Sequence, residues 1–216
     1  MRYLSNALSH SECEQFQNFW VKNESDRAYV NWEQNGKVLD RRLRIMDHDP
    51  EWSIIMRVVN DNFSSTTDVW AAYQQQQFAH NIHIDDYAKE QPLPTYTFVL
   101  SVVTEPRFRT ILWKETALHN EDMQKKLIHW HSIRDQAQKL SNISETEDLE
   151  HTSAPDGTYF ADYLTPDGVF CYKKGDGVLF NARQYHCTSN WTKYPKFTHR
   201  EFLQIHVVSY EKLDLN

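Results

Sequence analysis

The sequence predicts a mainly β protein with flanking helices, a sandwich or jelly roll, and three observations carry that prediction. Short strand-like segments cluster in two blocks, 69–113 and 169–209, broken by Pro, Gly and Asp turns. Helical spacing of apolar residues precedes the first block. Aromatic residues make up 13% of the chain while glycine occurs only 5 times, a composition that suits a well-packed body. At 216 residues one domain spanning 1–216 is expected.

Taken in order, Ser9 and Glu12 have the spacing of a capping box, and Cys13, Phe16 and Phe19/Trp20 recur at helical steps over 12–21. The largely polar stretch 29–46, with its turn at Asn35-Gly36, reads as a hairpin. Asp49-Pro50-Glu51 predicts a second helix with Pro at its first position and an apolar stripe of Ile54, Ile55, Val58, Val59 and Phe63. Strands are then expected at 69–78, 81–85, 95–103 and 108–113, and again at 169–172, 177–180 and 201–209. Between the blocks lies an insertion, 114–168. There Asn120 caps a predicted helix to about Leu140, with Met123, Leu127, Trp130, Ile133 and Ala137 in its stripe, and an acidic, polar stretch follows at 141–157. The helix most simply packs on the sheet or on a second subunit. No internal repeat is found.

Charge and cysteines narrow the function classes. A formal net charge of -7 and a pI near 5.9 provide no global basic field for nucleic acid or anionic lipid. The segment 1–19 has no apolar run of signal-peptide length, and no segment approaches the roughly 18 apolar residues of a membrane span, so a cytoplasmic protein is expected. Cys13, Cys171 and Cys187 are odd in number and lack CxxC spacing, which argues against a disulfide framework or a zinc ribbon. The sequons at Asn23, Asn62, Asn142 and Asn190 carry no weight without a secretory route.

The residues that point to chemistry begin with His83-Ile84-Asp85. On a strand, side chains two apart project to the same face, so one strand can offer two ligands to one metal. Alone, a His-x-Asp is close to a chance expectation in a chain with 11 histidines. About a hundred positions later, Gly175-Asp176-Gly177 leads into a buried strand and on to His186, and Arg200 follows fourteen residues after that at the head of 201–209. In that strand Leu203, Ile205 and Val207 share one face, while Arg200, Phe202, Gln204 and His206 share the other. Two imidazoles and one carboxylate leave part of a metal's coordination sphere open, which suits non-haem Fe(II). A buried Arg suits a carboxylate, since its planar fork binds both oxygens and stays charged.

His83-x-Asp85, His186 and Arg200 together resemble the iron- and 2-oxoglutarate-dependent dioxygenases, most closely the prolyl 4-hydroxylase branch. Leu8-Ser9-His10-Ser11-Glu12-Cys13 resembles a motif that often opens the family's first helix. The resemblance implies a double-stranded β-helix with N-terminal helices packed on one sheet. It implies Fe(II) at His83, Asp85 and His186, 2-oxoglutarate held through its far carboxylate by Arg200, O2 as oxidant and ascorbate as a reductant. Tyr73, ten positions before His83, matches a Tyr that touches 2-oxoglutarate in some members. The family's cation usually follows the distal His by nine to eleven positions, which would select Lys196. Arg200 is preferred because it begins a strand, whereas Lys196 lies beside Pro195 in a polar turn. The implied reaction is hydroxylation of an aliphatic carbon, on a peptidyl residue such as proline or on a small molecule, with release of succinate and CO2. With Asp85 present as a third ligand, halogenation is disfavoured. Two alternatives stand beside this: a cupin-like metal-binding module without turnover, and a nucleic-acid-modifying oxygenase, which the net charge disfavours.

Other candidates have plainer readings. His129-Trp130-His131 on a helix would not face one metal. Gln74 and Gln76 share a face, to read a polar substrate or to form a hydrogen-bonded ladder. Arg107 and Arg109 share a face and bind an acidic substrate or solvate an edge, and Cys187 should point away from the metal.

Overall fold

A computed structural model of the chain describes residues 1–66, 68–79, 83, 85, 94–116, 166–189, 191, 194, 196, 198–213 and 215. Their elements run β1 (Arg2–Leu4), α1 (His10–Arg27), β2 (Tyr29–Gln34), β3 (Lys37–Ile45), α2 (Trp52–Asn60), β4 (Asp68–Gln76), β5 (Tyr96–Ser101), β6 (Glu105–Thr116), β7 (Pro166–Tyr172), β8 (Gly177–Asn181), β9 (Gln184–Thr188) and β10 (Arg200–Val208). The strands form a large sheet ordered β1-β8-β5-β10-β4-β3-β2 and a small one ordered β7-β6-β9. This is the jelly roll the sequence implies, with both helices on one sheet.

The large sheet serves two compartments because side chains alternate along each strand. One face carries Leu43, Ala71, Tyr73, Leu203, Ile205 and Val207, packed with Phe16 and Trp20 of α1 and Ile55 and Val59 of α2 in one buried cluster. The other carries Val99, Val178, Phe180 and Phe202, packed against Phe108, Leu112, Phe170 and Tyr172 of the small sheet. Directly opposed strand partners share a face, so the register Arg200↔Gln76, Phe202↔Gln74, Gln204↔Ala72 and His206↔Trp70 puts Arg200, Gln204 and His206 in this inner compartment.

The helix starts follow local hydrogen bonding. Ser9 Oγ accepts from the Glu12 amide at 3.2 Å and Glu12 Oε2 accepts from the Ser9 amide at 2.7 Å, the reciprocal box the sequence predicts. The second start differs from expectation: Pro50 lies in the turn ahead of α2, which begins at Trp52 with Glu51 as its cap. The cause is Asp49. Its carboxylate accepts from the Met46 amide at 2.7 Å and from both Arg27 nitrogens at 2.7 Å, which closes a tight turn before the helix can begin.

The Arg27 hydrogen bonds, resisted by burial, hold the Asp49 carboxyl below the usual carboxylate range. A lowered folded-state pKa contributes stability above the unfolded value, roughly 3.9, and that stability is lost as pH falls through the folded value. The stability difference between wild type and Asp49→Asn is therefore expected to shrink below about pH 4; denaturant unfolding at pH 7 and pH 3 measures it.

The hairpin forms as predicted, with positive φ at Asn35 (52°) and Gly36 (73°), the twist a two-residue hairpin turn requires. Through β3 it extends the large sheet beyond β4. Other features depart from the sequence expectation, and of the strand expected at 81–85 the described residues show only an isolated bridge at His83. β1 pairs with β8, although nothing in its three residues marks a strand. The ends of the expected insertion are strand, since Leu112 pairs with Gly168, Trp113 with Pro166 and Thr116 with Gln184; an antiparallel partner satisfies the backbone there whatever the side chains. The strand expected to end at Phe180 is followed by a turn at Ala182 and Arg183 and by β9, which carries His186. The helix expected over about 120–140, the acidic stretch 141–157 and His129-Trp130-His131 lie outside the described residues.

Candidate metal centre

Backbone pairing brings the two histidines together. His83 and His186 form an isolated antiparallel bridge and exchange both hydrogen bonds, each 2.9 Å. Their rings lie 4.2 Å apart between centroids. Two residues on, the Asp85 amide donates to the Ala182 carbonyl at 2.9 Å. Ligand atoms of His83, Asp85 and His186 all lie within 4.8 Å of one another, and among the described residues this is the one cluster of His, Cys, Asp or Glu spaced to hold a metal ion. Asp85 and His186 are buried while His83 is half-buried, so the cluster opens on the His83 side.

Neighbouring groups orient these side chains. His186 Nδ1 lies 2.9 Å from the Gln184 carbonyl; a carbonyl only accepts, so Nδ1 carries the proton and Nε2 keeps its lone pair for a metal. That Nε2 is 3.6 Å from Asp85 Oδ1. The other Asp85 oxygen accepts from Thr97 Oγ1 at 2.6 Å, and Thr97 Oγ1 is 3.1 Å from His206 Nδ1. Since Thr97 spends its proton on Asp85, His206 donates through Nδ1. Burial pushes the His206 pKa down to about 4, with Asp85 offsetting only part of the shift, so His206 is neutral at pH 7. Burial works against an ionised Asp85, but the neighbouring imidazoles in their protonated forms, His186 above all and then His206 and His83, outweigh it and hold the carboxyl far below its ordinary range. An anionic carboxylate beside two imidazoles is a donor set that fits a divalent transition metal.

Arg200 starts β10 and is 3% exposed. Its Nη2 donates to Gln76 Oε1, and its guanidinium carbon sits 4.3 Å from the Phe202 ring and 5.5 Å from the Tyr172 ring. Among the described residues Nε and Nη1 have no hydrogen-bond partner. Burial lowers its pKa, but a guanidinium starts so far above neutrality that it remains a cation. Two unpartnered donors on a buried cation, on the same sheet face as the groups that contact Asp85, fit an incoming carboxylate.

The remaining sequence candidates fall elsewhere. Tyr73 pairs with Leu203, on the face opposite Arg200. It stacks on Trp20 at 5.3 Å and donates to Glu201 Oε2 at 2.8 Å, so the structure does not bring it to the cluster. Lys196 is exposed. Arg107 sits 4.4 Å over the Tyr194 ring. Cys187 pairs with Ile111, on the face of β9 opposite His186. Sequence reasoning missed Thr97 as a partner of Asp85; its signal, one hydroxyl in a strand that also carries Tyr96 and Ser101, is faint. His206 was visible as a member of the Arg200 face, without a role.

Two histidines and an aspartate that converge in a jelly roll present the donor set of a facial-triad metal site. No family model matches the sequence, and no curated protein matches it. Solved structures do match the fold. A Pseudomonas putida prolyl-4-hydroxylase is similar over 95% of this chain and 90% of its own, at 9% identity and a TM-score of 0.53. The epimerase SnoN, in complex with Fe3+, alpha ketoglutarate and nogalamycin RO, is similar over 96% and 78%, at 10% identity and a TM-score of 0.57. HygX from Streptomyces hygroscopicus, with nickel and 2-oxoglutarate bound, is similar over 96% and 82%, at 10% identity and a TM-score of 0.51. The fold of this chain is that of the iron- and 2-oxoglutarate-dependent oxygenases. Among the described residues no helix is long and apolar enough to cross a membrane.

Proposed function

We propose that the protein is an Fe(II)- and 2-oxoglutarate-dependent oxygenase that hydroxylates an aliphatic carbon of a peptidyl residue or a small molecule. The observation that carries the reading is the combination of a three-ligand cluster with a buried, half-satisfied Arg200 in one compartment. His83, Asp85 and His186 would hold the metal, and Arg200 would bind the far carboxylate of 2-oxoglutarate. Iron with 2-oxoglutarate and O2 supplies the oxidising power for breaking a C–H bond. This chain's own residues do the positioning. Thr97 and the Gln184 carbonyl set the angles of Asp85 and His186, and the apolar wall of Val99, Val178 and Phe180 excludes water from the inner compartment.

A metal-binding module without turnover would need no buried cation on that face, so Arg200 favours an enzyme. The similar structures include a hydroxylase, an epimerase and the carbocyclase SnoK, and hydroxylation is our choice among them because the sequence resemblance is to the hydroxylase branch. Anaerobic addition of Fe(II) and 2-oxoglutarate is expected to give a visible metal-to-ligand charge-transfer band, followed by succinate on admitting O2. Absence of the band in wild type would sink the reading. Lys196→Ala is expected to leave the band and the 2-oxoglutarate requirement unchanged, because its side chain is exposed.

A further inference from the structure

Three glutamines lie between the metal cluster and Arg200, and each is more than nine-tenths buried: Gln74, Gln76 and Gln204. A buried primary amide is costly unless its polar atoms are matched, and apolar neighbours such as Phe202 and Val99 fill the same face without that cost. The amides are joined end to end. Arg200 Nη2 donates to Gln76 Oε1, and Gln76 Nε2 donates to Gln74 Oε1 at 3.3 Å. Gln74 Nε2 then donates to Gln204 Oε1, and Gln204 Nε2 donates to Asp85 Oδ1 at 3.4 Å.

The direction of this chain is dictated by its ends. A guanidinium has no acceptor and an ionised carboxylate has no donor. Every amide between them must therefore turn its oxygen toward Arg200 and its nitrogen toward Asp85. Flipping one amide would set carbonyl against carbonyl on one side and N–H against N–H on the other. Aligned dipoles in a buried chain also polarise one another.

We propose that Gln76, Gln74 and Gln204 are a positioning relay through which the cosubstrate clamp and the metal-binding carboxylate are oriented as one unit. The proposal rests on the oxygenase reading and adds a link within it: residues that touch neither metal nor cosubstrate set the affinity for both. Gln204 holds Asp85 Oδ1 on the side of His186, Gln76 fixes the Arg200 fork, and Gln74 locks both amides in the required orientation.

The test uses the full chain, with Mn(II) as a spectroscopic probe of the metal site and 2-oxoglutarate titrated in saturating Mn(II). Gln74→Met keeps the length of the side chain and removes both hydrogen-bonding groups. It is expected to weaken Mn(II) binding without 2-oxoglutarate by about tenfold, the low end of the range for groups that orient metal ligands, and to weaken 2-oxoglutarate binding severalfold. Gln75→Met, on the same strand but facing Glu201, is expected to change neither. If Gln74→Met binds both within about twofold of wild type, the relay is overturned. A lowered melting temperature with unchanged affinities overturns it as well, since that is the signature of packing alone. Should Gln74→Met fail to fold, Gln76→Met is read instead. It contacts Arg200 and Gln74 but not Asp85, so a loss of Mn(II) affinity supports the relay and an unchanged affinity overturns it. Wild type failing to bind Mn(II) or 2-oxoglutarate would bring down the oxygenase reading itself, a result distinct from wild type and variant binding alike.

Discussion

Replacing Arg200 by Met is expected to weaken 2-oxoglutarate binding by about a hundredfold while leaving the ligand-free protein as stable as wild type or more so. The loss follows from two charge-assisted hydrogen bonds at about 1.5 kcal/mol each, and roughly 1.4 kcal/mol is a factor of ten. The stability follows from the same atoms. Nε and Nη1 are buried without partners among the described residues, and a buried charge left short of partners carries a desolvation cost that an apolar side chain does not. Releasing Gln76 Oε1 from its donor offsets part of that gain. Calorimetric titration and thermal melts of the ligand-free variant measure the two effects. A melting temperature well below wild type would show that Arg200 is satisfied without a ligand, and the carboxylate-clamp assignment would lose its basis.

Asp85→Ala is expected to reduce metal affinity by more than about a hundredfold, since even the groups that merely orient a ligand contribute about ten- to a hundredfold. The charge-transfer band with Fe(II) and 2-oxoglutarate should vanish with it. Thr97 Oγ1 and Gln204 Nε2 would both lose their acceptor, so part of the damage would be structural. Cys187→Ala separates the two contributions. Cys187 adjoins His186 and is buried, but it faces away from the cluster, so that variant should bind metal normally even if it melts earlier. Equilibrium dialysis against Fe(II) under anaerobic conditions reads both variants, and near-normal binding by Asp85→Ala would remove it from the ligand set.

The features legible in the sequence are those that depend on alternation within a single strand. His83 and Asp85 converge on one cluster, as a two-residue spacing predicts, and Arg200 lies with Gln204 and His206 because their spacings are even. Arg200 stands apart from the exposed Lys196 for another reason, that it begins a strand whereas Lys196 lies in a polar turn. Tyr73 entered through the family resemblance alone, and strand alternation offers it no support. Ten positions before His83 suggests a shared face only if one unbroken strand connects them, whereas β4 ends at Gln76 and the chain bends at Gln77 and Phe78. Contacts between distant segments were not legible. The relay joins Gln74 to Gln204 across 130 positions, and the His83–His186 bridge joins residues about a hundred apart. Such pairings are set by sheet register, which neither segment carries alone. β1 was invisible for the same reason, since its pairing is supplied by β8.

Because adjacent residues of β10 belong to opposite compartments, a single residue gained or lost inside that strand would swap its hydrophobic row for its polar one. Arg200, Gln204 and His206 would then be driven among the helices, and Leu203 and Ile205 against Asp85. The connector between β9 and β10 sets no strand register, although its Trp191 is buried in the inner core. The reach from His186 to Arg200 is therefore fixed by the register of two anchored strands rather than by the fourteen positions that separate them along the chain.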